Sequence, residues 1–322
     1  MKFSLFVHME RLDAGQSHQS LYDEYIELCD MADRGGMSAI WTGEHHGMDF
    51  TIAPNPFINL ADLARRTTNV RLGTSTVIAP FWHPIKLAGE AAMTDIITGG
   101  RLDVGIARGA YNFEYQRLSP GLDAATAGQR MRELVPAIKG LWAGDYAHEG
   151  ETWSFPTTTS APKPLQQPHP PLWIAARDPN SHDFAVANGC NVQVTPLALG
   201  DEEIESLMQR FNDACASHPE VPRPKIMCLR HTYVGSDEAD IEQWYVERFL
   251  TLRETVFQNP SSYFHRYAGL TPDEAVTTAR RLWQTINLVN LRQNVLPTRD
   301  RAHLILEKGR DHAVRKVKLR KL

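Results

Sequence analysis

Short apolar runs alternate with stretches of helical periodicity along the whole chain. Phe3–His8 reads as a buried strand, and Leu21, Tyr25, Leu28 and Ala32 then mark one face of a helix over about 21–34. Gly35-Gly36 closes that helix. A strand over 38–42, a helix over 55–67 and a strand over Val70–Ala79 follow. A helix over 84–97 ends at Thr98-Gly99-Gly100 and leads into strand Leu102–Ala107. Met131, Leu134, Val135, Ile138 and Leu141 carry the next helix, over 126–143.

Residues 144–171 hold six prolines, five of them in their second half, and read as an irregular excursion. Beyond them the pattern predicts strand 172–176, helix 181–188, strand 190–195, helix 202–216 and strand 226–234. An aromatic-rich helical stretch over 237–258, helix 272–284, strand 286–295 and helix 300–316 complete the series. Strict alternation of strand and helix implies a parallel sheet with right-handed crossovers. Eight such units in about 300 residues fit a closed (β/α)8 TIM barrel. The expected architecture is one α/β domain over 1–322, with an excursion before strand 5 and an insertion after strand 7.

Bulk properties narrow the class. A 322-residue chain with 42% apolar residues can build a sizeable core. A formal charge of −4 gives no basic footprint for nucleic acid, and the closing RKVKLRKL reads as a solvated helix end. Cys29, Cys190, Cys215 and Cys228 form no CxxC pair, which suggests neither a disulfide framework nor a thiolate metal site. The start MKFSLFVHMERL is too short in its apolar part for a signal peptide, and no run approaches a membrane span. The expectation is a soluble cytoplasmic protein.

In a barrel of this kind, chemistry sits where the strands end. Glu44-His45-His46 follows strand 2, Ser75-Thr76 lies late in strand 3, Arg108-Gly109 follows strand 4, Arg177-Asp178 follows strand 5, and His231 lies near the end of strand 7. No GxGxxG, Walker loop or HExxH is present. The histidines admit three readings: a metal site from His45, His46, His231 and a carboxylate; structural hydrogen bonding; or an acid/base or cofactor-contact role. Adjacent residues on extended backbone point to opposite sides, which weighs against two ligands from one His-His pair.

In GIARGAYNFEY, an arginine flanked by glycines just past a strand offers a guanidinium and free amides to an anion such as a phosphate. Arg130 on the next helix could join it. Strand 3, LGTSTVIAP, is unusually polar for a central parallel strand. Its small residues would either admit a flat ligand or fill the taper of the barrel.

Several stretches together resemble the luciferase-like flavin-dependent monooxygenases: MKFSLF, GGMSAIWTGEHHG, NVRLGTSTVIAPFWHPIKLAGE, GGRLDVGIARGAYN and PPLWIAAR. The resemblance spans essentially the whole chain. It implies an enzyme that uses reduced FMN and O2 to oxygenate a small organic substrate through a C4a-peroxyflavin. By position it makes His45, with Glu44 beside it, the catalytic histidine, and it puts a non-prolyl cis peptide at Ser75-Thr76 beneath the flavin ring. Arg108 and Arg130 would bind the FMN phosphate, with Ala176, Arg177 and Ser181 completing that site. Gln193, Val194 and Thr195 would border the ring, and Ala107 stands where luciferase has a reactive cysteine.

The resemblance further implies a transient flavin reductase partner that supplies the reduced FMN, and a homodimer, for which Ala61, Ala64, Ala88, Ala91 and Ala92 offer small helix-packing residues. Two departures are visible. The turn expected to read GTP-D/E is Leu270-Thr271-Pro272-Asp273-Glu274, and the insertion at about 236–270 is short. A deazaflavin-dependent oxidoreductase of the same fold, a non-catalytic flavin binder and a metal-dependent hydrolase are the competing readings. The substrate is not legible.

Overall fold

The computed structural model describes the chain except residues 1, 12, 14, 50, 197–199, 231–237, 261, 263, 296–303, 309–313 and 320–322. It divides into two compact units, Met1–Arg230 and His231–Leu322, where the sequence pattern leads one to expect a single domain.

The first unit is a curled parallel sheet of the barrel type. Seven strands run in chain order: β1 (Leu5–Val7), β2 (Ala39–Thr42), β3 (Arg71–Thr74), β4 (Leu102–Ala107), β5 (Leu172–Ala175), β6 (Asn191–Val194) and β7 (Ile226–Cys228). A short strand at Val77–Ile78 extends the β3 side and also pairs with β4. The helices between them include α1 (His18–Arg34), α2 (Pro56–Arg66), α3 (Pro84–Ile97), α4 (Asn112–Leu118), α5 (Ala124–Ala143), α6 (Pro179–Ala187) and α7 (Gly200–Ser217). Side chains alternate across each strand. Leu5, Val7, Ile40, Leu72, Ile174, Val192 and Ile226 therefore pack outward into the main core with Leu60, Leu87, Leu134 and Ile138 of the helices.

The opposite face makes a smaller cluster of Phe6, Ala39, Trp41, Trp173 and Met227, contributed by β1, β2, β5 and β7. Trp41 meets Trp173 edge-to-face at 5.3 Å. The register pairs Trp41 with Gly73, and a Cβ on Gly73 would come within 2.2 Å of the Trp41 ring. The small residue in β3 thus admits a large one from β2. Trp173 Nε1 donates to Asp103 Oδ1 at 2.9 Å, and Arg71 Nε donates to Asp103 Oδ2 at 2.5 Å. Burial pushes the Asp103 carboxyl above its usual range, with Arg71 acting against that rise. The other polar residue of β3 is also spent internally, because Thr74 Oγ1 accepts from Gly105 N at 2.7 Å and donates to Gly105 O at 2.8 Å.

Several local features follow from sequence. Ser17 caps α1, and His83 with Pro84 starts α3. Asp33, at the end of α1, accepts the backbone amides of Thr68, Asn69 and Val70 and so ties that helix to the entry of β3. The proline-rich excursion is less irregular than its composition suggests. Tyr146–Glu149 and Ser154–Thr158 pair as an antiparallel hairpin, and the Ala161-Pro162 and Gln167-Pro168 bonds are cis.

The sequence reading fails beyond β7. The strand expected over 226–234 is ordered as Ile226–Cys228, and residues 231–237 lie outside the description. The eighth strand, expected over 286–295, is absent: α9 (Pro272–Leu282) continues through π-helical and α-helical turns to Val295. Neither glycine nor proline interrupts 273–296, so the interspersed Ile286, Leu288, Val289 and Leu291 continue a helix. The helix expected over 300–316 is replaced by two antiparallel strands, Leu304–Lys308 and Val314–Leu319. Their register pairs Leu304 with Leu319 and Leu306 with Val317.

The second unit has its own core of Val246, Phe249, Phe257, Ala275 and Ala279. Its helix-spaced aromatics are therefore mainly packing residues. The Leu270–Glu274 turn is a capping box: Thr271 and Glu274 exchange side-chain-to-backbone hydrogen bonds at the start of α9.

Candidate active site

The C-terminal ends of β2 through β6 are tied together by side chains, and these ties define the site. At the end of β2, the Glu44-His45-His46 triplet splits into two carboxylate–histidine pairs. Glu44 is almost fully buried, and its Oε1 accepts from His46 Nε2 at 2.5 Å. Its Oε2 accepts from Ile78 N and from Trp82 Nε1, both at 2.8 Å. This carboxylate braces the backbone beyond β3 through three short hydrogen bonds. The hydrogen bond to Glu44 raises the His46 pKa against the opposing effect of burial.

His45 turns the other way, as expected for adjacent extended residues. Its Nδ1 faces the Glu114 carboxylate at 3.3 and 3.4 Å, and Glu114 Oε1 also accepts from His46 N at 2.8 Å. Glu114 is 1% exposed. It lies in the first turn of α4, a helix the periodicity did not reveal because Asn112–Leu118 is only seven residues long. The His45 ring packs edge-on to His8 at 4.7 Å and against Tyr111 at 5.4 Å. Sequence reasoning missed Glu114. One signal was available, since it is the only acidic residue between Asp103 and Asp123.

Beside this pair, the Ser75-Thr76 peptide is cis, at the position where the resemblance implied such a bond. Ser75 Oγ donates to Gln193 Oε1 at 3.3 Å, which links the end of β3 to β6. Gln193 is 6% exposed, and its Nε2 is buried without a hydrogen-bond partner. A buried amide donor left unmade costs about 1–3 kcal/mol, so this atom is a place where an acceptor-bearing ligand fits. Val194 is buried behind it, and Ala107 is half-buried at the end of β4.

The candidate anion site is assembled unevenly. Arg108 is exposed, with a long 3.5 Å contact to Ala124 O, while its own carbonyl accepts from Tyr115 Oη at 2.8 Å. Gly109 follows at φ 92°, where a Cβ would meet Tyr115 Oη at 2.9 Å. Arg130 is half-buried on α5. Arg177 is already engaged, donating to Thr195 O at 3.1 Å and forming an ion pair with Glu203. Ser181 Oγ donates to Asp178 Oδ2 at 2.5 Å, and Ser181 N to Oδ1 at 3.0 Å. Burial would raise the Asp178 carboxyl, but Ser181 and the nearby Arg108 hold it below its usual range. Ala176 donates its amide to Gln193 O at 3.0 Å.

Of the sequence-derived candidates, His45, Ser75, Ala176 and Val194 adjoin the β6 and α4 contacts. Arg108 is available for an anion, whereas Arg177 and Ser181 are committed to protein partners. His231 lies outside the described residues. Among those residues, no group of three His, Cys, Asp or Glu side chains could hold a metal ion. No described helix is long and apolar enough to cross a membrane.

Known proteins resemble this chain in sequence and in fold. The luciferase-like monooxygenase family matches residues 1–290. The oxygenase component of a flavin-dependent trigonelline monooxygenase from Acinetobacter baylyi is 71% identical over 269 residues, spanning 84% of this chain and 71% of that protein. The oxygenating constituent of 3,6-diketocamphane monooxygenase from Pseudomonas putida, solved with FMN, has a TM-score of 0.70 at 20% identity. That match covers 92% of this chain and 88% of the other, and it is a likeness of fold. A pantothenate kinase from Sorangium cellulosum is 63% identical over a stretch of 90 residues, 28% of this chain and 29% of the kinase.

Proposed function

The chain belongs to the luciferase-like monooxygenase family, and from that premise we propose that it is the oxygenase component of a two-component flavin-dependent monooxygenase. It takes reduced FMN from a separate reductase and inserts one atom of O2 into trigonelline or a similar N-methylated pyridinium carboxylate. The observation that carries this reading is the 71% identity over 84% of the chain to an oxygenase component named for trigonelline.

The residues present fit the cofactor. The buried, unpartnered Gln193 Nε2 beside Ser75 can donate to a ring acceptor. Arg108, beside Gly109, can take the phosphate, with Arg130 as a second cation. When bound, reduced FMN supplies the two electrons with which O2 is divided between product and water. His45 holds or moves a proton near that chemistry, and its ring nitrogen Nδ1 is anchored on Glu114. Glu44 keeps the backbone of Ile78 and the Trp82 ring in place behind it.

A homodimer is part of this reading, because Ile58 on α2 and Met93 and Ile96 on α3 present apolar side chains that are 68%, 50% and 44% exposed on that flank. The alanines there serve packing within the chain instead: Ala88, Ala91 and Ala92 are fully buried, and Ala88 O accepts from Trp142 Nε1. The proposed compartment is the cytoplasm, where reductase and reduced flavin are available.

The test is an anaerobic titration with reduced FMN, followed by mixing with oxygenated buffer containing trigonelline. Saturable binding is expected, with one substrate consumed per flavin oxidised and 18O from labelled O2 found in the product. Flavin binding without substrate loss would remove trigonelline. No binding of reduced FMN, with binding of a deazaflavin instead, would overturn the cofactor assignment.

A further inference from the structure

We propose that Glu114 is the positioning residue that sets the tautomer of His45, an assignment that rests on the reading of His45 as a proton-handling group. An ionised carboxylate only accepts hydrogen bonds. With Glu114 Oε1 and Oε2 at 3.3 and 3.4 Å from His45 Nδ1, the proton of the neutral imidazole sits on Nδ1. Nε2 then carries the lone pair, and among the described residues it makes no hydrogen bond. A proton accepted there gives an imidazolium, whose charge Glu114 offsets.

The carboxylate is itself held in place. It is 1% exposed and takes the His46 amide at 2.8 Å, so the backbone that carries His45 and the ring of His45 are fixed by the same group. Glu44 cannot substitute for it, since its oxygens are occupied by His46, Ile78 and Trp82. The tandem histidines therefore have separate carboxylates and separate tasks.

The experiment is 15N NMR of the full chain with labelled histidine, the His45 signals being assigned by their loss in His45→Gln. Wild type is expected to show His45 protonated on Nδ1 when neutral. Glu114→Gln, whose amide can present either a donor or an acceptor, is expected to lose that preference. The variant's oxygenation turnover should fall about tenfold or more, while its affinity for reduced FMN changes less than about threefold. A wild-type His45 protonated on Nε2, or a tautomer unchanged in Glu114→Gln, would overturn the proposal. The tautomer is read without flavin or substrate, so a failure of the monooxygenase reading would show separately, as absent FMN binding.

On separate grounds, we infer that residues 231–322 are a unit of different descent from the flavin-binding sheet, shared with pantothenate kinases. The parallel βα pattern stops at β7, and the second unit has its own core and an antiparallel pair of strands. The kinase match is 90 residues long, close to the length of His231–Leu322. The luciferase-like match runs on to residue 290, but the helices it reaches lead into further helix and not into an eighth strand.

Calorimetry of the full chain tests this second inference. Two unfolding transitions are expected, one raised by about 5–10 °C when free FMN is in hundredfold excess over its Kd. Ala279→Asp, which puts a charge into the cluster of Val246, Phe249 and Ala275, should depress only the other transition. A single transition that carries both effects would overturn it. Two transitions, neither moved by FMN, would support the separate unit and count against the flavin assignment.

Discussion

Glu44→Ala is expected to lower the unfolding free energy by about 4 kcal/mol, one of the largest losses available from a single side chain in this protein. Its carboxylate takes the buried Ile78 amide and the Trp82 indole N–H at 2.8 Å each. Each buried donor left unmade costs about 1–3 kcal/mol, and the paired His46 loses its partner as well. Urea unfolding measures the change. A loss below about 1 kcal/mol would show that water replaces the carboxylate and that the bracing role is wrong.

The same pair predicts a pH trend. Glu44 raises the folded-state pKa of His46 above its unfolded value of about 6.5. The stability it contributes is therefore complete below that value and disappears as pH rises through the folded pKa. Glu44→Gln should flatten this part of the stability profile.

Glu44 also shows how far sequence could reach. The EHH triplet was recognisable as a site because it follows a strand that the periodicity located well, Ala39–Thr42 within the expected 38–42. That the two histidines point apart followed from strand geometry. What sequence could not give was the partner of each ring. Glu114 comes from a different βα unit, 69 residues beyond His45, and only the packing of α4 brings them together. The polarity of β3 was equally visible and equally ambiguous. The structure assigns Gly73 to the space that Trp41 needs, Thr74 to a clamp on β4, and Ser75 to Gln193. Gly73 bears out the space-filling reading of that strand, and the flat-ligand reading belongs to the proposed function.

The failure beyond β7 has a different origin. Periodicity locates elements, but it does not say whether successive elements belong to one repeat. Having counted seven βα units, the pattern invited an eighth at 286–295, although no breaker separates that stretch from α9. Leu304–Lys308 and Val314–Leu319 carry no strict alternation, so periodicity does not separate them from the final helix that a barrel leads one to expect.

Arg108→Ala is expected to weaken FMN binding about 100-fold while leaving riboflavin binding within about threefold, which corresponds to the loss of roughly 2–3 kcal/mol of charge-assisted contact to a phosphate. The structure singles out Arg108 among the three candidate arginines. Its guanidinium has one long contact, 3.5 Å to Ala124 O, so it can turn to an anion without breaking a strong bond. Arg177 would have to leave both Glu203 and Thr195 O, and Arg177→Ala should therefore cost FMN affinity much less. Asp178 sets the other boundary. Its carboxylate already caps α6 through Ser181 and is held in its charged form with Arg108 nearby, so a phosphate near Arg108 shares that cation with an acid. Asp178→Asn should accordingly tighten FMN binding if the phosphate lies close to α6, and leave it unchanged if the phosphate lies toward Arg130. Equal losses of FMN and riboflavin in Arg108→Ala would mean that the arginine supports the fold of the β4–α4 turn, and the phosphate assignment would then pass to Arg130.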